Sequence, residues 1–450
     1  MKVCKWNEMS EVERLEILSG SRALSEVEME GVGLSETVKA VLEDVKRRGD
    51  DALRYYTKKF EGRDIREFKL DSLDFSSEEE LKADEKEALQ IAFDQIASFH
   101  QLQKPQRMKL ERPGYTLWRD FLSIDRVGLY VPAGNAPLVS TLLMLACPAT
   151  IAGCQEIVLV TPPNMDGKLD PAIQFAARLC GISEIYLLGG AQAIAAMAYG
   201  TKSIKKVLKI FGPGNSFVTE AKRQVSLDPR GCPIDMPAGP SEVLVIADDD
   251  ANPEFIASDL LAQAEHDPKA RCVLVSTSEE IILAVQTAVN QQAPKLSRKS
   301  ILAASVSSIQ WILAEDYKEA IQISNVYAPE HLILHTKDAM ELSKQVKNAG
   351  SVFIGPWSAE ALGDFVSGPN HVLPTAGYAR TFGGLGVESF MKSTTFQHIE
   401  EMGFPNLART AHIIGGLERL DGHQASISIR SKALEQMKPN RSQEESIICG

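Results

Sequence analysis

The sequence predicts an α/β fold with parallel sheets, laid out in two successive blocks, and three observations carry that prediction. Short β-branched runs alternate with helical periods. A Gly- or Pro-containing turn leads from most runs into the next helix. The runs themselves are apolar almost throughout, the pattern of strands buried on both faces.

The elements follow in order. Residues 8–110 are rich in charge and helical in period: in ETVKAVLEDVKRRGDDALRYYTKKF, Val38, Val41, Leu42 and Val45 make one apolar stripe. The character changes at RVGLYVPAG (126–134), the first strand and turn of the first block. EIVLVTPP (156–163), EIYLLGG (184–190) and KVLKIFGPGN (206–215) continue it. The apolar window STLLMLACPATIAGC (140–154) is broken by Pro148 and Gly153, which assigns it to a buried core. The second block opens with SEVLVIADDDANPEFIASDLLAQAEHD (241–267), read as strand, acidic turn and helix. RCVLVSTS (271–278), HLILHT (331–336) and SVFIG (351–355) supply further strands. Beyond about residue 378 the chain is Gly-rich, then helical, and closes with the polar tail KPNRSQEESIICG.

Bulk properties exclude several classes. A net charge of −12 argues against a general phosphate-backbone binder, so no nucleic acid partner is expected. No apolar run reaches membrane-spanning length, and MKVCKWNEMSEVERLEIL lacks the apolar core of a signal peptide, so no membrane association and a cytoplasmic location are expected. The seven cysteines contain no CxxC pair and read as free thiols of a reducing compartment.

Candidate chemistry begins with the glycines. No GxGxxG follows a strand, but YVPAGNAP, LLGGAQA and FGPGNSF would each bring backbone amides and a helix start toward a phosphate. Tight packing between strand and helix also favours glycine at such turns. Four of the eight histidines sit near other ligands or acids. His266 follows Gln263 by one helical turn, and both flank the stripe Ile256, Leu260, Leu261 and Ala264. A histidine beside Pro268 is equally a helix terminus favoured by the macrodipole, and glutamine is an uncommon zinc ligand, so the pair reads either way. His331 follows Glu330 in APEHL; the two side chains act together only where the strand begins, since strand neighbours face opposite ways. His371 comes seven residues after Asp364, and His423 five after Glu418. Ser241, in the loop DMPAGPSE, lacks the GxSxG elbow of a serine hydrolase and precedes a strand rather than a helix.

GLYVP, APLVSTLLM, GGAQAIAAMAYGT, FGPGNSFVTEAKRQV, DMPAGPSEVLVIAD, AEHD, APEHL, GDFVSGPNHVLPT and LERLDGH stand in the order found in the histidinol dehydrogenase family. The chain resembles that family over roughly residues 10–432, most nearly its proteobacterial members. The resemblance implies two incomplete Rossmann-like domains with parallel-rich sheets, one inserted in the other, plus small helical terminal segments. Its boundaries here would be a segment 1–24, a discontinuous domain 25–125 and 237–379, an inserted domain 126–236, and a dimerisation segment 380–450. It implies oxidation of L-histidinol through L-histidinal to L-histidine with two NAD and one zinc ion per subunit, the last step of histidine biosynthesis. The zinc ligands would be Gln263, His266, Asp364 and, from the partner subunit of a homodimer, the position of His423. His331 resembles the general base and Glu330 the activator of water. Ser241, His371 and Glu418 match substrate contacts beside the ligands and His331, and Tyr130, Gln192 and Asn215 match NAD contacts.

Two positions depart from the family pattern. Ala133 replaces a glycine in the first turn, and Leu208 stands where aspartate is common. The same scaffold also suits a zinc- and NAD-dependent dehydrogenase of another small polar alcohol; retention of Ser241, His371 and Glu418 favours histidinol.

Overall fold

The structure, a computed structural model, describes residues 3–19, 24–70, 80–133, 137–164, 166–236 and 239–437. The middle of YVPAGNAP (134–136), residues 237–238 of DMPAGPSE and the tail 438–450 with Cys449 lie outside them.

The described strands are β1 Val3–Lys5, β2 Met108–Arg112, β3 Tyr115–Ser123, β4 Arg126–Tyr130, β5 Glu156–Thr161, β6 Glu184–Leu187 and β7 Lys209–Phe211. They continue with β8 Glu242–Ala247, β9 Arg271–Ser276, β10 Gln310–Leu313, β11 His331–His335, β12 Ser351–Ile354 and β13 Met391–Ile399. Two compact units result, residues 1–104 with 123–390, and 105–122 with 391–450.

The first unit holds both parallel sheets. One has four strands in the order β6-β5-β4-β7, the other six in the order β1-β10-β9-β8-β11-β12. The apolar runs form these strands because both faces are covered: β8 and β11 are buried along their whole length. Val38, Val41, Leu42 and Val45 on the helix Leu24–Arg48 pack into the core of the four-stranded sheet beside Ala193 and Val218. STLLMLACPATIAGC forms the helix Val139–Ala152, buried over most of its length, with Pro148 inside it and Gly153 closing it at φ 90°. The N-terminal stretch contributes more than helix, since Val3–Lys5 joins the edge of the six-stranded sheet beside β10.

The second unit contains a three-stranded sheet, β13-β3-β2, and two helices, Phe404–Leu417 and Asp421–Met437. This sheet departs from the helical and Gly-rich reading of those segments. Its pairing joins stretches nearly three hundred residues apart, and MKLER is exposed along its length, so no local apolar period marks it. Trp118 stacks on Phe396 at 5.0 Å to hold β3 against β13. Among the described residues no helix is long and apolar enough to cross a membrane.

Candidate active site

The residues flagged around His331 gather at the N-terminal edge of the six-stranded sheet. Register sets the frame: His331 opens β11 opposite Val243 of β8 and Ser351 of β12, and Glu242 opens β8 opposite Arg271. The chain reaches β11 through a strained turn. The helix Tyr317–Tyr327 ends at Ala328 with φ 55°, and Pro329 then directs Glu330 inward. Glu330 precedes the strand and His331 is its first residue, so both side chains lie on one site, Glu330 Oε2 being 3.8 Å from His331 Nδ1. Gly350 lets the neighbouring strand close on this turn: a Cβ there would sit 2.6 Å from the Glu330 carbonyl oxygen.

Each group is held by named partners. The Glu242 amide donates to Glu330 Oε2 at 2.9 Å, and the Glu242 carbonyl lies 3.2 Å from His331 Nδ1. The Glu242 carboxylate is itself buried, accepting from Arg271, Tyr327 and the Ala376 amide. Ser241 stands one residue before β8, its carbonyl accepting from the Arg271 amide at 3.0 Å. Asp364 comes from the short helix Glu360–Phe365, its Oδ1 3.5 Å from His331 Nε2. His371 Nδ1 lies 2.7 Å from the Asp364 carbonyl and its Nε2 3.3 Å from Thr141 Oγ1.

LLAQAEHD resolves into a helix, Pro253–Ala264, that stops short of the histidine. His266 lies in the turn beyond it, with its amide bonded to the Gln263 carbonyl at 3.2 Å. Gln263 is 1% exposed, and its Oε1 has no protein partner. A buried amide oxygen left unpaired is costly, a cost that a bound ligand would relieve.

One carboxylate in the cluster went unread in the sequence. Glu360, one helical turn before Asp364, is 1% exposed and its Oε1 is 3.9 Å from His331 Nδ1. The spacing in EALGDF puts Glu360 and Asp364 on one face, and that was the legible signal. His331, Glu360 and Asp364 bring one ligand atom each within 4.8 Å of one another. Burial pushes the Glu330 carboxyl up to about 7 and that of Glu360 up to about 8. Burial alone would lower His331, but Glu360, Glu330 and Asp364 outweigh it and hold the imidazole up to about 10. Asp364 stays below the usual carboxylate range despite burial, because His331 lies beside it. Burial lowers His371.

Tyr130, Gln192 and Asn215 line a second feature, a cavity of 1040 Å³ at the four-stranded sheet. Tyr130 OH accepts from the Gly190 amide at 3.1 Å, and Asn215 caps the helix Ser216–Leu227 by accepting from the Val218 amide. Gln192 is 1% exposed with an unpartnered Oε1. Ala133 also lines the cavity, whereas Leu208 is half-exposed just before β7.

Glu418 and His423 belong to the second unit. Glu418 ends the helix Phe404–Leu417, His423 lies in Asp421–Met437, and both are exposed. The remaining histidines divide as core and surface: His100 is buried against the Ile96 carbonyl and His335 is buried, while His398 and His412 are exposed. The six described cysteines are free.

Comparison with known proteins agrees with this arrangement. The profile of the histidinol dehydrogenase family matches residues 25–431. The chain is 47% identical over 438 residues to the histidinol dehydrogenase of Vibrio parahaemolyticus, covering 97% of this chain and 100% of that one. It is 45% identical over 405 residues to that of Escherichia coli, covering 90% and 92%. The crystal structure of histidinol dehydrogenase from Elizabethkingia anophelis matches the fold with a TM-score of 0.89 at 40% identity, covering 95% of this chain and 97% of that one. A match of this length and identity, on a fold that gathers Glu330, His331, Glu360 and Asp364 at one sheet edge, makes the chain an oxidoreductase that belongs to the histidinol dehydrogenase family.

Proposed function

We propose that the chain oxidises L-histidinol through L-histidinal to L-histidine in the cytoplasm, using one zinc ion per subunit and reducing two NAD. The observation that carries this reading is the buried, unpartnered Gln263 Oε1 on the helix that packs against Glu360–Phe365. Gln263, His266 and Asp364 would hold the metal, with His423 of the partner subunit completing an N/O donor set suited to zinc. His331, Glu360 and Asp364 form a competing donor set, but a metal-bound His331 could not accept a proton, so we assign His331 to catalysis. When bound, zinc supplies orientation of the imidazole and amine of histidinol and positive charge that disfavours a protonated His331.

The protein groups do the proton chemistry. Neutral His331 takes the hydroxyl proton as hydride leaves carbon for the nicotinamide, giving the aldehyde. Glu330 takes a proton from water as it adds to the aldehyde carbon. The hydrate then loses a second hydride and a proton to become the carboxylic acid. Two hydrides leave, so two NAD are reduced for each histidinol. Ser241 and His371 contact the substrate from the same sheet edge, and Glu418 of the partner subunit does so across the dimer. Tyr130, Gln192 and Asn215 contact NAD.

The test is zinc-loaded protein with histidinol and NAD, counting NADH per substrate consumed. A yield of two is expected. Turnover of another small polar alcohol without histidinol oxidation would overturn the substrate assignment. Mixing His331→Asn with His423→Asn protein tests the shared site: activity returns once subunits exchange, and its absence after demonstrated exchange excludes cross-subunit ligation.

A further inference from the structure

The helix Val139–Ala152 carries a proline in its interior, and the consequence reaches the candidate active site. An N–H at position 148 would donate to the Met144 carbonyl one turn back, and Pro148 has none. Met144 is fully buried, so bulk solvent cannot supply the missing donor. Asn370 supplies it: its Nδ2 donates to the Met144 carbonyl at 2.6 Å, and the residue is itself buried.

The Asn370 carboxamide is used on both sides. Its Oδ1 accepts from the Val372 amide at 2.9 Å, and its Nδ2 also lies 3.2 Å from His100 Nε2. His100 accepts there because its Nδ1, 2.8 Å from the Ile96 carbonyl, carries the ring proton. Burial lowers His100, which favours this neutral form. A histidine that the proposed reaction leaves unused therefore serves to hold Asn370. Gly368, at φ 111°, brings the same loop against the helix Ala83–Gln101: a Cβ there would stand 3.0 Å from the Gln95 carbonyl oxygen.

His371 follows directly. Its Nδ1 lies 2.7 Å from the Asp364 carbonyl, and its Nε2 lies 3.3 Å from Oγ1 of the buried Thr141. Thr141 stands three residues before Met144, on the same face of the helix. Asn370 and His371 are thus seated side by side on that face, and the His371 ring in turn holds the backbone of Asp364.

We infer that Asn370 is a positioning residue: docked on the carbonyl that Pro148 leaves open, it holds His371 and, through it, Asp364 in place for substrate and metal, with Thr141 as the second point of attachment. The inference rests on the roles proposed above for His371 and Asp364.

The test combines histidinol and NAD kinetics of the zinc-loaded enzyme, zinc affinity by chelator competition, and melting temperature. Asn370→Ala should raise the KM for histidinol and weaken zinc binding by roughly 10–100-fold, the usual cost of losing a residue that orients a ligand, with the KM for NAD unchanged. Adding Pro148→Ala to Asn370→Ala gives the Met144 carbonyl a backbone donor again. The double variant should regain melting temperature over Asn370→Ala, but neither histidinol KM nor zinc affinity. Where Asn370→Ala does not fold, Thr141→Val and Thr141→Ser decide: the first should show the same losses in milder form, and the second should keep wild-type values. Unchanged histidinol KM and zinc affinity in Asn370→Ala, their full recovery in the double variant, or equal behaviour of the two Thr141 variants overturns the positioning role. Wild type that neither holds zinc nor oxidises histidinol overturns the reading of the site on which that role rests.

Discussion

Glu330 Oε2 and His331 Nδ1 lie 3.8 Å apart although the residues are consecutive, because one closes a turn and the other opens a strand. Inside a strand their side chains would face opposite sides of the sheet. The left-handed Ala328 and the following Pro329 prevent that, and the Glu242 backbone then fixes both, donating to Glu330 and accepting at His331. The proposed mechanism assigns one acid–base group to each oxidation step, which separates their roles experimentally.

Glu330→Gln keeps the size and the bond to the Glu242 amide but cannot accept a proton. We expect oxidation of histidinal to fall by about 10²–10⁴-fold, the usual worth of a general base, with a much smaller loss in oxidation of histidinol to the aldehyde. Separate NADH assays started from each substrate check this. Equal losses in both would reduce Glu330 to a residue that orients His331.

Gly363 allows the helix bearing Glu360 and Asp364 to approach β12. A Cβ there would stand 2.6 Å from Phe353 Cε1 and 2.8 Å from Cζ, and the Phe353 ring is buried. Gly363→Ala must push the helix or the ring aside, a misfit of about 1–3 kcal/mol. Because Asp364 moves with the helix, metal retention after dialysis should fall together with melting temperature. Full metal content at a lowered melting temperature would show that the ring yields and the helix does not.

Much of this was legible in the sequence, and the misses have a common cause. The apolar runs marked the strands of both parallel sheets, apart from β1 and β10, because burial on both faces is written locally in Val, Ile and Leu. Tyr130, Gln192 and Asn215, which the resemblance implied, line one cavity from the units of β4, β6 and β7, whereas the glycines of those turns alone left tight packing as an equal reading. In QxxH the helix ends at Ala264 and leaves His266 in the turn that follows, a position compatible with a helix terminus and with a ligand alike. Glu360 escaped notice because its role depends on where β11 delivers His331, a distance that no local spacing encodes. The sheet joining residues 108–123 to 391–399 depends in the same way on pairing across the chain.

The last prediction concerns stability and pH. Lys46 on Leu24–Arg48 meets Asp228, which ends Ser216–Leu227, at 2.6 Å, with both side chains largely buried. Tyr199 OH also donates to Asp228, and the Lys46 ammonium lies 4.4 Å from the Tyr199 ring centre. The bond to Lys46 holds the Asp228 carboxyl down at about 2, and the same bond, against the effect of burial, raises Lys46. A carboxyl lowered by folding contributes stability that is fully present above its unfolded value near 4 and is lost as pH falls toward 2. Asp228→Asn should therefore cost about 1 kcal/mol at pH 7, a drop in melting temperature of roughly 2 °C. The gap between wild type and variant should narrow at pH 3. Paired thermal melts at the two pH values measure it, and a gap that stays constant or widens in acid would show that the pair holds these helices by packing alone.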